Sequence, residues 1–355
     1  GGDAPAGGGD APAGGGSSTA VPGTVTATLG GGVDPTIDFQ KAVGTETATG
    51  ARLDNIAPNV FNLMCIPDLP LQPLATQVSV YQDAGSYCED NQAFLIIDPP
   101  APAAAYPTGS DTVDTIGGTA SPGLATLMGT WASGILGADR VAAAAYYPWI
   151  QIVDPVTGLP RLVPPSGTVA GIYATTDTNR GVWKAPAGVE AGLNGVVGLA
   201  DTTITDDING QLNVVGINVI RTFPVYGTVV WGARTTAGAD LIGSAFKYVP
   251  VRRLTDYIEQ SLQQSLKWAV FEPNGPALWA SISLEVTSFM AGLFGAGAFA
   301  GASAASAYSV ACDASTTSPT DMLEGKVNVN VAFAPVDPAE FVMLNIQIDA
   351  ASAAS

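Results

Sequence analysis

The sequence predicts a mixed α/β protein built on a strand-helix-strand core, and three stretches carry that reading. Apolar runs at Val60–Ile66 and Ala93–Ile97 flank a helical segment from Leu74 to Asn91. Between Val251 and Phe271, Leu254, Ile258, Leu262 and Leu266 recur every fourth residue, the spacing of one helix face. Near the end, two segments alternate apolar and polar residues with period two, as half-buried strands do.

The N-terminal residues repeat themselves: GGDAPAG occupies 1–7 and again 8–14. No large apolar side chain is present there to offset ordering entropy, so residues 1–23 read as a low-complexity linker. Gly1-Gly2-Asp3 shows neither a charged n-region nor an apolar h-region, so no secretory signal is expected. Thr, Val and glycine turns over 24–58 read as a small β-rich piece. From Asn59 the pattern becomes αβ. Val60–Ile66 is a strand ending at Pro67-Asp68, and Ala93–Ile97 is a second one, stopped by Asp98-Pro99-Pro100. Strand, helix and strand in that order predict a parallel, right-handed crossover. A connector at Pro99–Pro107, a helix near Leu124–Leu136 and a strand at Val141–Pro148 follow. Pro160–Pro165 reads as loop and Thr168–Asp177 as the start of a helix. Asn213–Ile220 and Thr228–Trp231 read as strands about a Pro224/Gly227 turn.

In the last third, the Leu254 stripe reads as core, each buried Leu or Ile contributing about 1.5–3 kcal/mol. Arg253, Asp256, Glu259, Gln260 and Gln263 are assigned to the solvated face of the same helix. The uncharged run Val286–Cys312 is long enough to cross a bilayer. Its Ala, Gly and Ser content and the lack of flanking basic residues favour a packed helix and loop, with Phe289, Leu293 and Phe294 on one face. Val327, Val329, Val331 and Phe333 share one strand face, and Val342, Leu344, Ile346 and Ile348 share another. Such strands near a chain end either pair within their own subunit or add to the sheet of a neighbour.

Composition narrows the chemistry. Lys and Arg number 13 against 31 Asp and Glu, a net charge of −18, which disfavours nucleic acid or an anionic membrane surface as the main partner. Charged residues make up 12 %, about half the usual share. Faces buried against copies of the same chain need no charge, so this points toward assembly. Histidine is absent, which removes Ser-His-Asp and Cys-His catalysis and the histidine-containing zinc sites. Cys65, Cys88 and Cys312 form no CxxC pair and read as reduced, packed thiols. Gly295–Gly301 lacks the spacing and the preceding strand of a phosphate-binding loop. Asp201, Asp206 and Asp207 with Asn209-Gly210 read as a solvated acidic turn, since their order does not match a calcium loop. No metal, cofactor or catalytic residue is assigned. Lys247, Arg252, Arg253 and Lys267 gather four of the thirteen basic residues. They read either as a solvated helix face with an Arg253–Asp256 pair or as an electropositive patch meeting an acidic partner.

Gly181-Val182-Trp183-Lys184-Ala185-Pro186-Ala187-Gly188, Thr228-Val229-Val230-Trp231-Gly232-Ala233-Arg234-Thr235 and Tyr248-Val249-Pro250-Val251-Arg252-Arg253 stand in an order that resembles the contractile tail sheath family. The likeness extends upstream to Ile66-Pro67-Asp68 and Ile97-Asp98-Pro99-Pro100, and downstream through Phe271-Glu272-Pro273-Asn274 and Cys312-Asp313 to Phe341-Val342. It covers about Asn59 to Ile348. The family's usual N-terminal arm is not seen ahead of this block, where the GDAPA repeat stands.

The resemblance implies a non-enzymatic subunit that stacks in six-fold rings around an inner tube, joins baseplate and cap proteins, and contracts to drive the tube outward. It implies cytoplasmic assembly into a phage tail-like particle, without nucleic-acid binding or membrane insertion. The implied organisation is a linker at 1–23, a β-rich peripheral piece at 24–58, a core α/β sheath domain at 59–235 and a C-terminal sheath domain at 236–355. A strand-exchange arm at about 326–348 would join neighbouring subunits through Val327, Val329, Val331, Phe333, Val342, Leu344, Ile346 and Ile348. Lys247, Arg252, Arg253 and Lys267 become candidates for contact with the tube. Two other readings compete: an acidic carbohydrate-acting enzyme or binding module, and a small-residue-rich membrane or envelope protein.

Overall fold

The computed structural model describes residues 61–102, 128, 131, 134 and 141–340. The expected linker, the β-rich piece, Val342, Leu344, Ile346 and Ile348 lie outside the described residues. So does most of the helix expected at Leu124–Leu136, of which residues 128, 131 and 134 are helical.

β1 (Leu63–Cys65) leads through α1 (Leu74–Asp90) to β2 (Phe94–Ile97), and the two strands pair in parallel as the crossover predicts. β3 (Ala143–Tyr147) pairs in parallel with β2. A hairpin of β4 (Ile150–Val153) and β5 (Pro160–Val163) precedes α2 (Ser166–Arg180) and β6 (Val196–Leu199), which pairs with β4 to make an antiparallel three-stranded sheet. α3 (Asp206–Val214) then feeds β7 (Ile217–Phe223), which turns into β8 (Gly227–Val230). The main sheet runs β1-β2-β3-β7-β8, with β8 alone antiparallel.

Strands covered on both faces alternate their side chains between two cores. Leu95, Ile97, Ala143, Ala145, Ile217 and Val219 pack against Val80, Tyr81, Ala84 and Cys88 of α1 and Leu212 of α3. Phe94, Ile96, Ala144, Tyr146 and Ile220 point the other way, onto Val169 and Tyr173 of α2.

The C-terminal part opens with α4 (Val249–Ser265), continued by a 3-10 turn at Leu266–Ala269. Pro250 in its first turn presets the helical φ. α5 (Pro276–Gly295), α6 (Ala304–Ala307), β9 (Tyr308–Ala311), α7 (Pro319–Leu323) and β10 (Asn330–Phe333) follow. Leu254 and Ile258 of α4 and Leu278, Trp279, Ile282, Val286, Met290 and Leu293 of α5 form a third core. By length and composition α5 could cross a bilayer, but this face is packed inside the molecule, as the reading of a packed helix requires.

Three elements differ from expectation. Pro160–Val163 is a strand, because proline is tolerated at the first position of an edge strand. Asn213 and Val214 close a helix and do not open a strand: Thr205 accepts a hydrogen bond from Ile208 N at its start, and Gly216 at φ +83° ends it. The acidic turn at Asp206 and Asp207 is that helix's first turn, where carboxylates face the positive end of the dipole. Finally, β10 pairs antiparallel with β9 of its own chain, with Phe333 opposite Tyr308 and Val331 opposite Val310. Val327, Val329, Val331 and Phe333 are half-buried against the third core.

Candidate functional site

A polar cluster joins the main sheet to residues 336–340, the last described before the C-terminal alternating segment. Asn218 lies on β7, fully buried, and its side chain bridges backbones: Nδ2 donates to Ala145 O at 3.2 Å and Arg234 O at 2.7 Å, while Oδ1 accepts from Arg234 N at 2.7 Å. Arg234 is thereby tied to the sheet, and its side chain is only 2 % exposed. Its Nε and Nη2 donate to the two carboxylate oxygens of Glu340 at 2.5 and 2.7 Å, a bidentate pair. Nη1 donates to Asn213 O at 2.5 Å and reaches Gly238 O at 3.3 Å and Asp240 Oδ1 at 3.1 Å. Tyr248 Oη adds a third donor to Glu340 at 3.2 Å. Burial acts to lower the Arg234 pKa, but the Glu340 carboxylate and the Asp240 charge outweigh it and move it upward.

Glycine makes this packing possible. A Cβ on Gly238 would stand 2.6 Å from Lys247 O and 2.8 Å from Arg234 Cβ, and one on Gly232 would stand 2.8 Å from Asn218 Oδ1. A cleft of about 600 Å³ opens beside the cluster, lined by Trp183, Trp231, Tyr248, Val336, Pro338 and Glu340 among others.

The four basic residues assigned to one patch do not share a surface. Arg252 pairs with Asp256 at 2.7 Å and lies over the Phe246 ring, and Arg253 pairs with Asp177 at 2.6 Å over the Tyr173 ring. Both arginines are buried, and so is Asp256. The solvated face and the Arg253–Asp256 pair are therefore corrected: both guanidiniums turn inward, because the start of α4 is covered by α2 and by the loop before it. Lys247 is half-buried, its Nζ 2.8 Å from Asp240, and Lys267 is exposed in the 3-10 turn.

Two buried carboxylates stand out. Asp98, at the end of β2, is fully buried, and its Oδ1 accepts from Ser166 N at 2.7 Å at the start of α2. Desolvation pushes its pKa up to about 7 despite the Ser166 bonds. Asp256 is likewise pushed to about 7 by burial, against the lowering pull of Arg252. All three cysteines are free, with Cys88 and Cys312 buried, and burial raises every thiol pKa, that of Cys65 to about 11. Among the described residues no three His, Cys, Asp or Glu side chains gather to hold a metal ion.

The role of Arg234 and Glu340 was not legible in the sequence. The useful signal is that arginine buries only when paired, yet its partner stands 106 positions away in the chain.

Solved structures of the same fold include contractile sheaths. The contracted sheath of an extracellular contractile injection system, PVC, matches with a TM-score of 0.64 and 28 % identity, covering 84 % of this chain and 75 % of that one. The contracted helical sheath of the anti-feeding prophage matches with a TM-score of 0.61 and 32 % identity, covering 81 % and 70 %. The tail sheath protein of Vibrio phage KVP40 is 30 % identical over 189 residues, 52 % of this chain and 26 % of that protein. These matches define the class: sheath proteins of phage tails and related injection particles. The chain belongs to the phage tail sheath protein family, matching its central domain over residues 41–236 and its C-terminal domain over residues 243–349. It spans 26–50 % of the length of the curated relatives it matches. The carbohydrate-acting reading finds no support among these relatives.

Proposed function

We propose that this chain is a structural sheath subunit that polymerises in stacked, six-fold rings around an inner tube and contracts to drive that tube through a target envelope. The match of more than four-fifths of the chain to two sheaths in the contracted state carries this reading. In this proposal the subunit catalyses no reaction and takes no cofactor. Its partners are copies of itself, an inner tube protein, and baseplate and cap proteins. It assembles in the cytoplasm into a phage tail-like particle that is released from the cell, with no nucleic acid bound and no insertion of its own into a membrane.

Within the subunit, a core sheath domain at 59–235 carries a C-terminal domain at 236–355. Residues 342–348 leave as an arm and pair with a neighbour's sheet through Val342, Leu344, Ile346 and Ile348. β10, with Val331 and Phe333 committed to its own core, offers its edge away from β9. One net hydrogen bond contributes about 0.5–1.5 kcal/mol, so an arm needs several of them, repeated over many subunits, to hold a sheath together. Lys267 and Lys247 are the basic groups left for a tube contact.

Co-expression with the inner tube protein tests the proposal. Negative-stain images should show striated rods with a filled lumen, and deleting residues 342–348 should leave unassembled subunits and no long sheath. Rods of normal length from that deletion would refute the arm assignment.

A further inference from the structure

We propose that the Arg234–Glu340 pair is the anchor that fixes where the C-terminal arm leaves the subunit, and that assembly depends on it as well as on the arm's own strand. This rests on the reading of residues 342–348 as a strand given to a neighbour.

Three features of the geometry carry the inference. First, Arg234 is held before it meets Glu340: its backbone is pinned on both sides by Asn218 of β7, and its guanidinium is fixed by two backbone carbonyls. The position offered to Glu340 is therefore a position of the parallel sheet itself. Second, the contact is a two-pronged fork with a third donor from Tyr248, so it fixes direction as well as distance. A lysine could not supply that fork, nor a glutamine accept it with both atoms. Third, Glu340 is separated from Val342 by one residue, so fixing Glu340 fixes the origin of the proposed arm to within about 7 Å.

The pair also joins the two matched domains, since Arg234 falls within the central match and Glu340 within the C-terminal one. An arm that starts from a fixed point reaches its neighbour at a higher effective concentration than one tethered by a loose chain. The expected signature of a cut anchor is thus a rise in the concentration needed for assembly, with the strand chemistry intact.

The experiment uses the full chain with Glu340→Gln and Glu340→Ala, alongside deletion of 342–348. NMR order parameters of the backbone amides of Val336, Asp337 and Ala339 in the unassembled subunit read the anchor alone, and pelleting across a concentration series reads assembly. In Glu340→Ala these order parameters should fall below about 0.6 while those of the β2 and β3 core stay near about 0.85. The concentration for half-maximal pelleting should rise several-fold, and excess protein should restore rods. The arm deletion should leave the order parameters at 336–339 near the wild-type values and form no rods at any concentration. Unchanged order parameters in Glu340→Ala, or lower ones with unchanged pelleting, would overturn the anchor. Rods from the arm deletion would instead overturn the reading beneath it. Should Glu340→Ala lose its fold, Tyr248→Phe, which removes one donor and leaves the ion pair, decides: order parameters and pelleting must shift in the same directions by a smaller factor, and no shift in either refutes the proposal.

Discussion

Asp98 and Asp256 are carboxylates kept where ionisation is costly. Each has a pKa raised from 3.8 to about 7 by burial, so the folded chain binds more protons than the unfolded chain between those values. Stability contributed by these groups is fully present below the unfolded pKa and is lost as pH rises toward about 7. Asp98→Asn keeps an oxygen for Ser166 N and removes one of the two titrations. Denaturant midpoints measured from pH 4.5 to 8 should fall less steeply in that variant, and it should exceed wild type at pH 8 by on the order of 1 kcal/mol or more. A wild-type slope in the variant would show that Asp98 does not carry the effect. Arg253 makes a different prediction. Arg253→Glu sets a carboxylate against Asp177 beneath Tyr173, and breaking a buried pair costs about 3–5 kcal/mol. The thermal midpoint should drop sharply, whereas charge reversal at exposed Lys267 should leave it nearly unchanged. Equal midpoints for the two variants would contradict the inward placement of Arg253.

At the scale of elements, what was legible followed from strong periodicity. α1, β2 and β3 fall within a residue or two of their expected bounds and β1 begins three residues later than expected, because apolar runs between Pro-Asp stops are hard to read otherwise. The α4 stripe, including Leu254 and Ile258, is core as its spacing implies. The differences share a cause: one local signal has more than one meaning. Pro160 and Pro165 carry a loop signal, yet one starts a strand and the other precedes a helix. Asn209-Gly210 carries a turn signal, but Thr205 and the two following aspartates are a stronger helix start. Arg252 and Arg253 read as solvent-facing because nothing local shows Asp177 or Phe246 arriving to cover them. β10 shows how far pattern alone reaches: alternation gives a half-buried strand but not which core it serves. Phe333 packs on Phe299 with ring centroids 5.4 Å apart. Phe333→Ala should therefore lower the subunit's own stability by about 2 kcal/mol, less than for a fully buried ring. A loss of assembly with unaltered stability would place Phe333 at an interface instead.

Across the molecule, two cores on either side of a five-stranded sheet and a third around α4 and α5 hold the subunit together, and a buried arginine ties that sheet to the root of the C-terminal segment. Low charge and the sheath fold support the proposal that the working free energy lies between identical copies, with the Arg234–Glu340 pair as the proposed root of the arm that links them. Sedimentation velocity of the purified full chain over a hundredfold concentration range tests that claim most directly. Self-association through the arm should give a boundary that shifts to large, heterogeneous species as concentration rises, and that returns to a single slow species when residues 342–348 are removed. A single slow boundary from the intact chain at every concentration would contradict it.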